Sequence, residues 1–279
     1  MTAPFLQVEQ LDVAYRGPEG AVPVVKGVSF ELGREKLAVV GESGSGKTTV
    51  GRALLRLLPH HAQVSARTLR FDGVDLLSAS AQQMGQLRGR RLSMIMQDPK
   101  YSLNPVMPVG AQIGEALLRA GKLGRAECRD QVEQLLARVH IREPGRVAQQ
   151  YPHQLSGGMG QRVMIAMMLA QKPRLLIADE PTSALDVSVR REVLDLLDEL
   201  VAEQGLSLLF ITHDLNLVGR FCDRVLVMYA GRVVEGLAAA ELAHAQHPYT
   251  QALLSAVPGL KHRRATLPVL QRDPAWSVA

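Results

Sequence analysis

Apolar and polar positions change their spacing along the chain, and each change predicts a different kind of element. From residue 6 to residue 35 they alternate around turn residues at Gly17, Pro18 and Gly20, the period of antiparallel strands. Leu37–Val40 is a short continuous apolar run, as in a buried strand, and a helix-like run follows at Thr49–Leu58. Val64–Leu77 contains a further strand and an Asp72-Gly73 turn, and Leu92–Met96 is a short apolar strand that ends at Gln97. Pro99, Pro105 and Pro108 then break regularity. Residues 110–140 and 156–171 carry helical spacing, at positions such as Ile113, Leu117 and Leu118, and Val132, Leu135, Leu136 and Val139. The stretch between Gln97 and Lys172 therefore reads as a mostly helical subdomain inserted in a sheet domain. Beyond it, strands at 175–178, 207–211 and 225–228 alternate with helices at 187–203 and 215–221, and another strand follows the Gly231 turn. That alternation predicts a parallel sheet covered by helices. Residues 239–257 read as helical, and the stretch after Pro258, with Pro268 and Pro274, reads as a loosely ordered tail.

Composition narrows the class. At 279 residues with 47% apolar content, the chain can bury one good core and is not disordered. No apolar run reaches the ~20 residues that span a bilayer, and the start, MTAPFLQVEQ, lacks a secretory pattern, so a cytoplasmic protein is expected. Cys128 and Cys222 match no metal spacing and read as ordinary thiols. The net charge of +5 comes mostly from dispersed residues, with short dense spots at Arg88–Arg91 and Lys261–Arg264. Aromatic residues, at 4%, are too sparse for nucleic-acid stacking platforms, so no nucleic-acid partner is expected.

The chemistry lies in three motifs. GESGSGKTT at Gly41–Thr49 is a complete phosphate loop in the strand–loop–helix context it needs. Its glycines, Gly41, Gly44 and Gly46, let backbone N–H groups at Ser43 and beyond wrap phosphates, and the start of the helix adds a positive dipole end near Thr49. Lys47 is placed to reach β- and γ-phosphates, and the Thr48 hydroxyl to ligate Mg²⁺. LLIADEPTSALD at Leu175–Asp186 is a strand ending in two carboxylates, Asp179 for Mg²⁺ and Glu180 to polarise an attacking water. LSGGMGQR at Leu155–Arg162 is a second glycine-bearing helix start, with Ser156 as its cap. A second anion-binding element, at Ser156, Gly157 and Gly158, points to a second nucleotide shared with another subunit. The His60-His61 pair reads as a helix-end loop rather than a metal site.

With these motifs and Thr212-His213-Asp214, the chain resembles the nucleotide-binding subunits of ABC transporters from about Leu6 to Pro258. QDPKYSLNPV, YPHQLSGGM, VMYAGRVVE and HPYTQALLSAVP resemble the branch that powers oligopeptide, dipeptide and nickel importers. The resemblance implies an α/β fold: a P-loop NTPase core of ABC type, with an antiparallel β-subdomain and an inserted helical subdomain at about 98–172. The ATPase domain would span 1–258, with 259–279 as the tail. ATP and Mg²⁺ are the implied cofactors. The resemblance further implies that Tyr15 stacks on adenine, that Gln97 contacts Mg²⁺ or the lytic water, and that His213 touches the γ-phosphate. Asp186 would cross the dimer interface, although it is equally suited to capping the helix after it.

The implied partners are a second ATPase subunit, a copy or a related chain, bound head to tail around two ATPs; two transmembrane permease subunits; and, indirectly, an extracytoplasmic solute-binding protein. Pro99–Val109 is the implied docking surface for the permease, which would hold the chain peripherally at the cytoplasmic face of the bacterial inner membrane. The ATPase-like subunits of the phosphonate-degrading carbon–phosphorus lyase assembly are the alternative. Two departures stand out. Gly160 replaces a long polar residue in the signature helix, with a loosened dimer contact as the expected result, and no cysteine follows Cys222, so no iron–sulfur cluster is expected.

Overall fold

A computed structural model describes residues 4–18, 20–97, 102–121, 123–183, 185–256 and 273–277. Asp98–Tyr101 and Ala184 lie outside these residues, as do Val257, Pro258, Lys261–Arg264 and Pro268. The chain divides into two compact units, residues 1–80 with 209–279, and residues 81–208.

The first unit opens with an antiparallel hairpin, β1 (Leu6–Gly17) and β2 (Gly20–Leu32), paired from Leu6↔Leu32 to Gly17↔Gly20. Leu6 and Val8, then Leu11 and Val13, are its buried positions, so the parity of the buried face changes between them. A register shift between Val8 and Leu11 absorbs the extra residue, and Gln10 there has a φ of 51°. This bulge keeps both apolar pairs in the core, where a strict period of two would expose one of them. The strands β4 (Ala62–Ser65) and β5 (Thr68–Phe71) both pair antiparallel with β1. The expected Asp72-Gly73 turn joins β5 to β6 (Val74–Asp75), with φ of 49° and 81°, the left-handed pair that a tight hairpin turn requires.

The same unit holds β3 (Lys36–Val40), α1 (Lys47–Leu54), most of β9 (Ser207–Ile211), β10 (Arg224–Tyr229) and β11 (Arg232–Ala238), in the strand order β11-β10-β3-β9. The pair β10–β3 is parallel and β11 is an antiparallel edge. Helix α1 stops four residues short of the expected Leu58, where Arg56 turns to a φ of 51° ahead of Pro59. Residues 239–257 are not one helix. A 3₁₀ stretch, Ala239–His244, ends before α9 (Pro248–Ala256). Proline cannot continue a helix but suits its first position, and it disfavours helical geometry in the residue before it. The helix α8 (Leu215–Phe221) and these segments pack Leu215, Val218, Leu242 and Tyr249 against Ala38, Val40, Val225 and Val227.

In the second unit, β7 (Leu92–Ile95) and β8 (Leu175–Asp179) pair in parallel, and every residue of both is buried. Continuous burial explains their unbroken apolar runs. Between them, the helical stretch expected at 110–140 is two helices, α3 (Val109–Ala120) and α4 (Arg125–Arg138); the short α5 (Pro144–Ala148) lies outside the expected stretches, and α6 (Gly157–Leu169) matches the one at 156–171. Ile113 and Leu117 form the buried stripe of α3, whereas Leu118 is 51% exposed although its spacing had matched the helical pattern. Helix α7 (Val187–Gln204) ends at Gly205, whose φ of 60° is the left-handed cap that glycine accepts. The pattern gave no sign of α2 (Ala81–Leu87), which buries only Met84 and Leu87.

Candidate nucleotide site

The phosphate loop sits between β3 and α1, and two of its glycines are obligatory. Gly41 has a φ of 149°, and a Cβ there would lie 2.1 Å from the Met228 carbonyl oxygen. Gly46 has a φ of 99°, and its Cβ would meet the Val24 carbonyl oxygen at 2.9 Å. Gly44 also has positive φ, and it and Ser43 are exposed, while Thr48 and Thr49 are half-buried. Lys47 is buried, and its ammonium donates to the carbonyls of Gly41 at 2.8 Å and Glu42 at 2.7 Å. The loop therefore curls around its own cation. No side chain caps α1, whose N-cap is Gly46.

On the same unit, His213 is exposed just past the end of β9. Thr212 continues β9 by donating its N–H to the Val39 carbonyl at 3.1 Å, and Asp214 caps α8 through the Leu217 N–H at 3.2 Å. Tyr15 is half-buried on β1, its ring centroid 5.6 Å from that of His61. The His60-His61 pair lies in the loop before β4, as expected.

The second unit carries the carboxylates. Asp179 closes β8 and is buried; Glu180 follows with a φ of 46°, a left-handed geometry that is uncommon for a residue with a side chain. The Gln97 amide donates to the Glu180 carboxylate at 3.2 Å. Two residues distant in sequence and singled out separately thus meet in the fold. The Ser183 hydroxyl donates to the Glu180 carbonyl at 3.1 Å, which fixes the turn. Ser156 is the N-cap of α6 and accepts from the Met159 N–H at 3.3 Å.

Asp186 caps α7, accepting from the N–H groups of Ser188 at 3.1 Å and Val189 at 3.0 Å. The Val189 N–H and the Ser188 hydroxyl hold its carboxyl below the usual carboxylate range. The two helix starts touch: a Cβ on Gly158 would lie 2.4 Å from a Val189 methyl. Gly160 is buried in α6.

The phosphate loop, Tyr15 and His213 belong to the first unit, and Gln97, Asp179, Glu180, Ser156–Gly158 and Asp186 to the second. Sequence reasoning assigned no role to Tyr249, which binds the loop residue Glu42; its one signal was its place in HPYT.

The family model for ABC transporters matches residues 25–183, more than half of the chain. The chain belongs to the ABC transporter family. This ABC ATPase is 45% identical to the probable peptide ABC transporter ATP-binding protein y4tR of Sinorhizobium fredii, over 95% of this chain and 80% of that one. It is 44% identical to the dipeptide transport ATP-binding protein DppD of Bacillus subtilis, over 96% of this chain and 81% of that one. Among solved structures, the dimeric post-hydrolysis ATP-binding cassette MJ0796, bound to ADP and Pi, superposes with a TM-score of 0.74 at 26% identity, covering 84% of this chain and 98% of that one. CbiO1 of Clostridium perfringens, part of the transporter complex cbiONQ, gives a TM-score of 0.74 at 29% identity, covering 86% and 91%. The expected fold, a P-loop NTPase core of ABC type, is therefore the fold of this chain.

Proposed function

We propose that this chain is the ATP-hydrolysing subunit of an importer for peptides, nickel or a related metal chelate or small solute. Its similarity to DppD and y4tR over nearly its whole length supports the peptide class. The phosphonate-degrading alternative finds no support among the relatives, which are transport ATP-binding proteins.

The observation that carries the hydrolytic reading is the contact of Gln97 with Glu180, directly after the buried Asp179. In this reading one nucleotide meets Gly41–Thr49, with Lys47 turning from the loop carbonyls to the β- and γ-phosphates and Tyr15 stacking on adenine. Glu180 takes a proton from the attacking water. His213 touches the γ-phosphate. Ser156, Gly157 and Gly158 meet the nucleotide of a second ATPase subunit, with Asp186 at that same interface.

The donor set suits Mg²⁺, which prefers hard oxygen ligands. Thr48 offers a hydroxyl and Asp179 a carboxylate, and Gln97, whose amide nitrogen is engaged by Glu180, offers its amide oxygen. When bound, the ion would neutralise charge on the β- and γ-phosphates.

Permease subunits would hold the chain at the cytoplasmic face of the membrane. Among the described residues no helix is long and apolar enough to cross a bilayer. The proposed docking surface is Pro99–Val109, of which Ser102–Val109 is described and Pro99–Tyr101 lies outside the described residues. Gln112 organises it, bonding Asn104 through both amide atoms and the Met107 carbonyl at 2.9 Å. The domain boundaries, 1–258 with an inserted helical subdomain at 98–172, belong to the same proposal.

Glu180→Gln tests the reading. It should retain Mg-ATP binding and lose at least roughly 100-fold in steady-state turnover, the scale of a lost general base. Peptide uptake by cells that depend on this chain should stop with it. Wild-type turnover in the variant removes Glu180 from catalysis; normal uptake of peptides in cells lacking the chain removes the peptide class.

A further inference from the structure

Glu42, the second residue of the phosphate loop, has its backbone held on both sides. Its N–H donates to the Tyr249 hydroxyl at 3.0 Å, and its carbonyl accepts from the Lys47 ammonium at 2.7 Å. Tyr249 lies 207 residues away in sequence, on α9, and is wholly buried. Its ring packs against Tyr229 and Trp276, with centroids 4.5 Å and 5.7 Å away. The entry to α9 is fastened as well: the Glu235 carboxylate accepts from the N–H groups of Gln246 at 2.6 Å and His247 at 3.2 Å. Burial pushes the Glu235 carboxyl up, but the N–H groups of Gln246 and His247 help to hold it below its usual range. A ring enclosed by packing and carried on a pinned helix has little freedom, so the loop backbone is built against a rigid acceptor. A hydroxyl also brings no carboxylate charge toward the phosphates, which an aspartate or glutamate in its place would do.

We propose that Tyr249 is a positioning residue for nucleotide binding: its hydroxyl fixes the planar Gly41–Glu42 peptide and, through the carbonyl of that same peptide, which accepts from the Lys47 ammonium at 2.8 Å, the place from which the ammonium reaches the phosphates. The proposal rests on the reading of Gly41–Thr49 as the nucleotide cradle and adds an element to it. Helix α9 becomes part of the nucleotide site without touching nucleotide.

Tyr249→Phe keeps the ring and deletes the hydroxyl, leaving a buried N–H without its acceptor. Mg-ATP and Mg-ADP titrations of the full chain should show Kd raised roughly three- to tenfold for both nucleotides. The ATPase KM should rise by a similar factor while kcat stays within about twofold, because the contact is the same in ground and transition states. A second measurement needs no variant. By NMR on the nucleotide-free wild-type chain, the Glu42 amide should exchange with solvent far more slowly than that of its exposed neighbour Ser43. Kd and KM values within about twofold of wild type in Tyr249→Phe overturn the proposal, even if the melting temperature falls, since that outcome is a structural role only. Glu42 exchange as fast as that of Ser43 overturns it too, and decides the matter if the variant does not fold. Failure of the cradle reading itself looks different: the wild-type chain would then bind no nucleotide, or Lys47→Ala would bind it as well as wild type.

Discussion

Gly158→Ala is the sharpest available test of how the signature motif is built. The added Cβ would lie 2.4 Å from Cγ1 of Val189 and 3.6 Å from its Cβ. Ordinary carbon–carbon contacts sit near 3.5–4.0 Å, so more than an ångström must be found. Val189 is poorly placed to supply it. It is β-branched, occupies the first turn of α7, and its own N–H is tied to Asp186 at 3.0 Å. A valine in a helix has one strongly preferred rotamer, so the strain moves into the backbone at the start of α6 or α7. Overpacking of this kind costs about 1–3 kcal/mol, which in a chain of this size lowers Tm by a few degrees. The two starts also carry Ser156 and Asp186, so ATPase activity should fall more than stability does. The assay is a pair of melting curves and ATPase titrations on Gly158→Ala and on Gly158→Ala combined with Val189→Ala. The second change deletes the offending methyl and should return most of both losses, a coupling of at least about 1 kcal/mol in the double-mutant cycle. A Gly158→Ala chain with wild-type stability and activity refutes the packing argument. So does a double variant no better than the sum of its parts.

Two further outcomes follow from exposure and burial. Val106 is 78% exposed, so Val106→Asp should leave folding and Mg-ATP binding intact and reduce co-purification with the permease; undiminished recovery moves the docking surface elsewhere. Leu103, in the same stretch, is 4% exposed and is a poor probe, because an aspartate there would bury an unpaired charge and disturb folding. Cys222 is half-buried, and desolvation pushes its thiol up to about 12, with Lys36 opposing the shift and Asp223 adding to it. The thiol is the unreactive form, so in the native chain Cys222 should resist iodoacetamide at pH 8 and react once denaturant is added; rapid native labelling contradicts the burial.

Local signals made most of this architecture readable. The strand–loop–helix at Gly41–Thr49, the Ser156 cap and the Asp186 cap each depend on residues within a few positions of one another, so the sequence displays them directly. Departures arise where a distant partner or a special backbone geometry decides. Helix α2 buries only Met84 and Leu87, too thin a stripe for periodicity to detect. The bulge at Gln10 breaks an alternation that would otherwise place β1 correctly. Leu118 follows helical spacing yet faces outward, because spacing marks a face of the helix but not how far the neighbouring helices extend over it. In the site, each of Gln97 and Glu180 stood in a recognisable motif, but their bond joins residues 83 positions apart. Tyr249 and Glu42 show the limit more clearly, since neither residue type nor spacing links a helix near the C-terminus to the second residue of a phosphate loop.

Four helix starts of this ATPase, those of α1, α6, α7 and α8, differ in what they offer a phosphate. Every helix begins with N–H groups that lack partners within the helix, and what satisfies them decides what the end can bind. Helix α1 begins after Gly46, with no side-chain cap and no acidic residue in its first turn, so no carboxylate of that turn repels an anion from its positive dipole end. Helices α7 and α8 are closed by Asp186 and Asp214, whose carboxylates accept from the first-turn amides. A phosphate approaching either end would meet a negative charge already seated there. Helix α6 stands between these cases. Ser156 caps it weakly, at 3.3 Å, with a hydroxyl that can also rotate to donate to an anion, and its first turn has no acid. A serine at this position can therefore serve as a cap in the free chain and as a ligand when a nucleotide arrives, at a cost of about 1 kcal/mol for the exchanged cap bond. An aspartate could not make that exchange. This places Asp186, beside α6, in a different role from Ser156: it holds the start of α7 and with it Val189, the residue against which Gly158 is packed.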